Sequence, residues 1–256
     1  HTLMKLDKLR SAFQHEGEFS RRLFLAYAAS LASIPSAGQC ASAAPRHSFT
    51  SDPFTCGVAS GDPDHQSVVL WTRLAPKPLE PGGGMPNTPV TVHWELAADS
   101  AFKTIIQSGK IHATPALGHS VHVEPVGLKS NRWYFYRFQS GGATSPIGRT
   151  RTLPAPADSP EKLRFAVTSC QNYEQGLFTA YQQMAADDPD LVFHLGDYIY
   201  EYSGVDGRVR KHYGPEIETL DQYRSRYAQY RGDKDLQKMH ATCPWFVTWD
   251  DHEFDN

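Results

Sequence analysis

From residue 54 to about residue 153, apolar and polar positions alternate, and runs of glycine, proline and aspartate cut the alternation into short pieces. Val68-Val69-Leu70-Trp71-Thr72-Arg73 predicts a strand, and residues 90–96 and 120–124 predict two more. Trp133-Tyr134-Phe135-Tyr136-Arg137-Phe138 is a fourth, aromatic enough to cover both faces of a sheet. The breaks are Gly61-Asp62-Pro63-Asp64, Pro81-Gly82-Gly83-Gly84 and Ser140-Gly141-Gly142. Several short strands at regular spacing predict an antiparallel β-sandwich over residues 44–153. Nothing in this region groups acids, bases or metal ligands, so its expected role is scaffolding.

Pro154-Ala155-Pro156-Ala157-Asp158-Ser159-Pro160 predicts a semi-rigid linker over 154–160, and the pattern then changes. Residues 163–169 predict a strand ending at Cys170. Residues 178–184 predict a helix, stopped by Asp187-Asp188-Pro189-Asp190. Residues 191–195 predict a second strand, which runs into Gly196-Asp197. Strand, helix and strand within about 30 residues predict parallel pairing. Helices follow over 220–230 and 235–239, then a third strand over 245–249, ending in Asp250-Asp251. The expected fold class is an α/β domain beginning at residue 161, preceded by an all-β sandwich.

The N-terminal segment breaks this pattern. Ser20-Arg21-Arg22 precedes an apolar stretch over 23–34, too short to cross the ~30 Å hydrocarbon core of a bilayer. Ala41-Ser42-Ala43 then fits a small-residue cleavage site. This resembles a twin-arginine (Tat) export signal over residues 1–43. It implies the Tat machinery as a partner and a soluble periplasmic or extracellular product with no membrane span. With 25 Lys+Arg against 28 Asp+Glu, the net charge of −3 offers no basic field to nucleic acid. Four cysteines rule out a disulfide-dense scaffold, although a bridge between Cys56 and Cys243 is an open possibility outside the cytoplasm.

Candidate chemistry clusters at strand ends. Three predicted strands end at Cys170, at Asp197 with Tyr200, and at Asp250-Asp251-His252. In an open α/β sheet, residues at the carboxyl ends of the strands converge on one rim. Asp197 follows a glycine and carries a carboxylate able to bridge two cations; Tyr200 lies three residues on. Thiolate, phenolate and carboxylate together favour iron in its ferric form over magnesium or calcium. A second, oxygen-rich site drawn from Asp250, Asp251, Glu253, Asp255 and Asn256 would suit calcium. Asn172 and Arg224 or Arg226 offer phosphate-binding chemistry. His93, His119 and His122 are expected to face solvent, and His212 and His240 to lie on the surface. His194 is expected inside the sheet, and Tyr223, Tyr227 and Tyr230 are expected to pack.

Gly196-Asp197-Tyr198-Ile199-Tyr200 followed by Trp249-Asp250-Asp251-His252-Glu253 resembles the PhoD-like alkaline phosphatase family of metallophosphoesterases. Phe54-x-x-Gly57-Val58-Ala59-Ser60-Gly61-Asp62-Pro63 and Val68-Val69-Leu70-Trp71-Thr72-Arg73 resemble that family's N-terminal domain. Ser169-Cys170-Gln171-x-Tyr173-Glu174-x-Gly176 resembles the start of its catalytic domain. Residues 127–134 resemble the corner before a late strand of a fibronectin type III domain. The resemblance implies hydrolysis of phosphate monoesters and diesters with iron and calcium. It implies Cys170, Asp197 and Tyr200 as iron ligands, Asp251 and Asn256 toward calcium, and His252 against the phosphate or leaving oxygen.

Catalytic domains of this family continue past the third motif and add a late metal motif with an H-x-H element. Residues 161–256 are therefore expected to be a truncated domain of low activity. A phospholipase D-type phosphodiesterase on the same site is the nearest rival reading. An exported, non-catalytic β-sandwich protein with a vestigial phosphatase stub is the rival of another class.

Overall fold

A computed structural model of the chain describes residues 48–256. The predicted export signal lies outside these residues. The N-terminal strands are β1 (Val58–Gly61), β2 (Val69–Arg73), β3 (Val90–Ala97) and β4 (Ile105–Ala113). They continue with β5 (Ser120–Val123), β6 (Trp133–Ser140), β7 (Ala143–Thr144) and β8 (Gly148–Arg151). Then come β9 (Phe165–Thr168), α1 (Ala180–Ala186), β10 (Leu191–His194), α2 (Leu220–Arg231), α3 (Lys234–His240) and β11 (Trp245–Val247).

Two sheets result. One has the order β4-β3-β6-β7, with β8 also paired to β6. The other has six strands in the order β5-β2-β1-β11-β10-β9. Its β9, β10 and β11 are mutually parallel, as the strand–helix–strand spacing predicts. Val58, Leu70 and Val121 from one sheet meet Val92, Leu96, Tyr136 and Phe138 from the other in a single buried core. A second core lies between β9–β11 and the helices, built on Val192, Trp245, Tyr181, Leu236 and Met239. No helix among the described residues is long and apolar enough to cross a membrane.

The six-stranded sheet runs across the proline-rich segment. β1 pairs in parallel with β11 at Gly61↔Trp245, and Asp62 N–H donates to the Trp245 carbonyl at 3.1 Å. Gly61 permits this contact, because a Cβ there would lie 2.9 Å from the Trp245 carbonyl oxygen. Buried Arg231 of α2 donates to the carbonyls of Cys56 and Val58. Arg151 of β8 pairs with Asp190, just before β10. The side chains of β6 alternate as its composition requires. Tyr134, Tyr136 and Phe138 are buried in the core, while Trp133 on the other face lies under the Arg149 guanidinium, 3.9 Å from its ring centroid.

β4 went undetected in the pattern because it is an edge strand, polar at Gln107, Ser108 and Lys110, with no fully buried row. Three histidines expected on the surface are buried. His119 is 2% exposed, His212 3% and His240 5%. His119 Nε2 lies 3.2 Å from the Thr88 carbonyl, while the rings of His212 and His240 complete aromatic packing. His240 stacks on Trp245 at 3.8 Å and its Nε2 lies 2.8 Å from the Tyr198 hydroxyl, while His212 Nε2 lies 2.9 Å from the Tyr230 hydroxyl. Cys56 and Cys243 are both buried free thiols, so the possible bridge between them is not formed.

Burial lowers the pKa of His194 and of His212 to about 4, and pushes that of His240 well below the usual value. In the unfolded chain these groups bind protons near pH 6.5. Between those limits the unfolded state holds more protons, so stability rises with pH and is lost as pH falls from about 6.5 toward 4. The expected outcome is a falling melting temperature over that window, with His194 alone contributing up to ~3 kcal/mol. His194→Phe should flatten the curve; an identical pH profile in that variant would contradict the assignment.

Candidate metal centre

β9, β10 and β11 are parallel, so Cys170, Asp197 and the 250–253 turn all lie at the same, carboxyl, end of the sheet. The strand ends stay linked beyond the ladder. Cys170 N–H donates to the Gly196 carbonyl and Gln171 N–H to the Asp197 carbonyl, each at 3.1 Å. Cys170 and Asp197 both adopt left-handed backbone, with φ of 51° and 55°. Such backbone is uncommon outside glycine and is frequent at functional turns.

Gly196 precedes Asp197 with φ of 107°. A Cβ at this position would lie 2.5 Å from the Asp250 Cβ and 2.7 Å from its amide nitrogen. Glycine here lets the β10 and β11 turns touch. Gly196→Ala is expected to cost about 3 kcal/mol from the positive φ and the backbone clash together. Chemical denaturation would show it as a lower midpoint, and an unchanged midpoint would mean the two turns can separate freely.

Glu253 locks the same contact. It is 5% exposed. Its Oε2 accepts from Asp197 N–H at 3.0 Å and Asp250 N–H at 2.7 Å, and its Oε1 accepts from Tyr198 N–H. Glu253 was a candidate calcium ligand by composition. Its carboxylate is instead committed to three backbone amides.

With the turns joined, one oxygen or nitrogen from each of Asp197, Asp251 and His252 falls within 4.8 Å of the others. Asp197 is buried, Asp251 exposed and His252 intermediate, so the group opens to solvent on one side. Two carboxylates and an imidazole form a donor set for a hard or borderline divalent or trivalent cation. The other candidate ligands surround this group. The Tyr200 hydroxyl donates to Asp197 Oδ2 at 3.4 Å. Burial, then the Asp197 and Cys170 charges, raises the pKa of this phenol, so without a cation it keeps its proton. The Cys170 thiol is exposed and free and does not belong to the three-residue group. Asn256 places its amide nitrogen 3.4 Å from His252 Nε2.

The basic residues do not line the site. Arg226 is 1% exposed and donates to main-chain carbonyls at Tyr200, Tyr202 and Pro215. Arg224 turns to the Ala116 carbonyl at 2.6 Å and to Asp221. Asn172 bonds the Tyr202 hydroxyl. Sequence reasoning passed over Glu201, which is 4% exposed with Oε2 2.7 Å from His252 Nδ1. The available signal was an acid placed inside the aromatic run Tyr198-Ile199-Tyr200-Glu201-Tyr202.

Residues 39–154 match a family model described as PhoD-like phosphatase, N-terminal domain, and residues 165–256 match one described as PhoD-like phosphatase. The chain is 50% identical over 264 residues to alkaline phosphatase D of Bacillus subtilis (strain 168), covering 98% of this chain and 45% of that protein. It is also similar to a solved structure of PhoD, with 55% identity and a TM-score of 0.80 over 82% of this chain and 41% of the other. The chain thus spans less than half the length of both relatives.

Proposed function

The chain belongs to the PhoD-like phosphatase family, and from that membership we propose that it carries the first metal-binding motifs of an exported alkaline phosphatase acting on phosphate monoesters and diesters. The observation that carries this reading is the convergence of Asp197, Asp251 and His252 at the carboxyl ends of β10 and β11. These three residues would hold a cation, with Tyr200, Cys170 and Asn256 as further ligands at the rim. In metallophosphatases a bound cation supplies Lewis acidity toward the phosphoryl oxygens and lowers the pKa of a bound water. The thiol and phenol beside Asp197 favour ferric iron, and the oxygens of Asp251 and Asn256 favour calcium.

The protein groups have their own tasks. Asp197 would hold a cation through its carboxylate, one oxygen of which the Tyr200 hydroxyl orients. His252 joins Asp197 and Asp251 in the donor group through its imidazole, and a phosphate or leaving oxygen would contact that ring only in place of the cation. The N-terminal region functions as a fibronectin type III-like scaffold whose β1 braces β11. Export follows the Tat route, on the strength of Ser20-Arg21-Arg22 and the apolar residues after it.

The test combines metal analysis with turnover. Iron and calcium are quantified in the purified chain, and hydrolysis of 4-nitrophenyl phosphate is compared with that of a phospholipid diester in alkaline buffer. The chain is assayed alone and together with polypeptide matching the remaining length of its relatives. Metal uptake with monoester turnover in either arrangement supports the reading. Turnover of the phospholipid alone points to a phosphodiesterase, and neither metal nor turnover in both arrangements sinks it.

A further inference from the structure

The phosphatase reading assigns no task to Glu201, yet this is among the most buried carboxylates of the chain, at 4% exposed. Its Oε2 lies 2.7 Å from His252 Nδ1. Two other contacts hold the imidazole. Its ring packs on Tyr200 with centroids 4.0 Å apart, and Asn256 Nδ2 stands 3.4 Å from Nε2. Glu201 is itself held from behind. Arg226 Nη1 donates to the carbonyls of both residues flanking it, Tyr200 and, at 3.0 Å, Tyr202. Arg226 comes from α2, and its Nη2 donates to the Pro215 carbonyl at 3.3 Å. The backbone on either side of Glu201 is therefore pinned to a helix, while its side chain reaches the 250–253 turn.

We propose that Glu201 is the positioning residue for His252, with Arg226 fixing the segment that presents it. A carboxylate can only accept, so the Nδ1 it touches must carry the hydrogen. A neutral imidazole has one N–H, and its partner decides which nitrogen holds it. Glu201 thus imposes the Nδ1–H tautomer and leaves the lone pair on Nε2, the nitrogen beside Asn256 Nδ2. Partners of this kind orient metal-binding histidines in general, and their loss lowers metal affinity by ~10–100-fold. The purpose assigned to His252 rests on the phosphatase reading; the hydrogen bond and the tautomer do not.

The experiment separates the two. Metal-free protein labelled with 15N-histidine is studied by long-range 15N–1H correlation, and manganese(II) binding is measured by calorimetry. Wild type is expected to show His252 as the Nδ1–H tautomer. Glu201→Ala is expected to move it to the Nε2–H form and to weaken manganese binding by ~10–100-fold. Glu201→Gln, which keeps an acceptor and the shape, is expected to retain most of the wild-type tautomer. An Nε2–H tautomer in wild type, or a tautomer indifferent to Glu201→Ala and Glu201→Gln alike, overturns the proposal. A tautomer that shifts as expected in a protein that binds no manganese supports the positioning role and counts against the metal reading alone.

Discussion

Glu253→Ala is expected to lower the stability of the fold by roughly 3–5 kcal/mol. The carboxylate accepts three backbone N–H groups, two from the β10 turn and one from the β11 turn. Hydrogen bonds to a charged group contribute about 1.5–3 kcal/mol each, and a buried donor left without a partner costs ~1–3 kcal/mol. Alanine leaves all three donors without their partner at once, and relaxation or entering water recovers part of the loss. Because domains are stable by only ~5–15 kcal/mol, the expected deficit is a large share of the total. Glu253→Gln keeps one carbonyl oxygen and should lose less than Glu253→Ala. Urea unfolding of the three proteins checks the order wild type, Gln, Ala. Equal midpoints would show that the turns are held by something other than this carboxylate.

Asp197→Asn is expected to do the reverse: to leave the fold intact while weakening metal binding. Asparagine keeps the volume and can still accept from the Tyr200 hydroxyl. It removes one negative charge from a crowded place, next to Asp251 and His252 in the candidate group. Metal-free protein should melt at or above the wild-type temperature. Removing the charged oxygens that the group offers should weaken metal binding by more than the ~100-fold upper figure for outer partners. Calorimetric titration beside thermal melting reads both. Unaltered affinity would take Asp197 out of the ligand set. Glu253 and Asp197 lie in one turn contact, so opposite responses would separate what supports the site from what belongs to it.

The legibility of this protein follows the range of its interactions. β2, β3, β5 and β6 could be read because alternation along a strand is local and one face of each meets a core. β4 could not, because an edge strand has no such demand on its residues. Asp197, Asp251 and His252 stood out as polar residues just past apolar strands, and the structure brings these three together. Glu253 read as a calcium candidate and Glu201 drew no notice, since their partners are reached only by joining the ends of β10 and β11. Arg226 was misjudged for the same reason. Nothing within helix α2 shows that its guanidinium will be buried against main-chain carbonyls rather than offered to an anion. His212 and His240 were placed on the surface because their aromatic partners, Tyr173 and Trp245, are not adjacent in sequence.

The strand order has a consequence for how the molecule is built. Of the described strands, β11 is the last to leave the ribosome, yet it lies in the interior of the six-stranded sheet, between β1 and β10. Until residues 245–247 emerge, the N-terminal strands and the β9–β10 pair have no backbone ladder joining them. Such long-range pairing is slow to form, since the intervening chain must be ordered before the contact is made. β11 is followed directly by the turn carrying Asp251 and His252. The pairing of β11 that joins the described halves of the sheet is therefore the same event that brings Asp251 and His252 to Asp197.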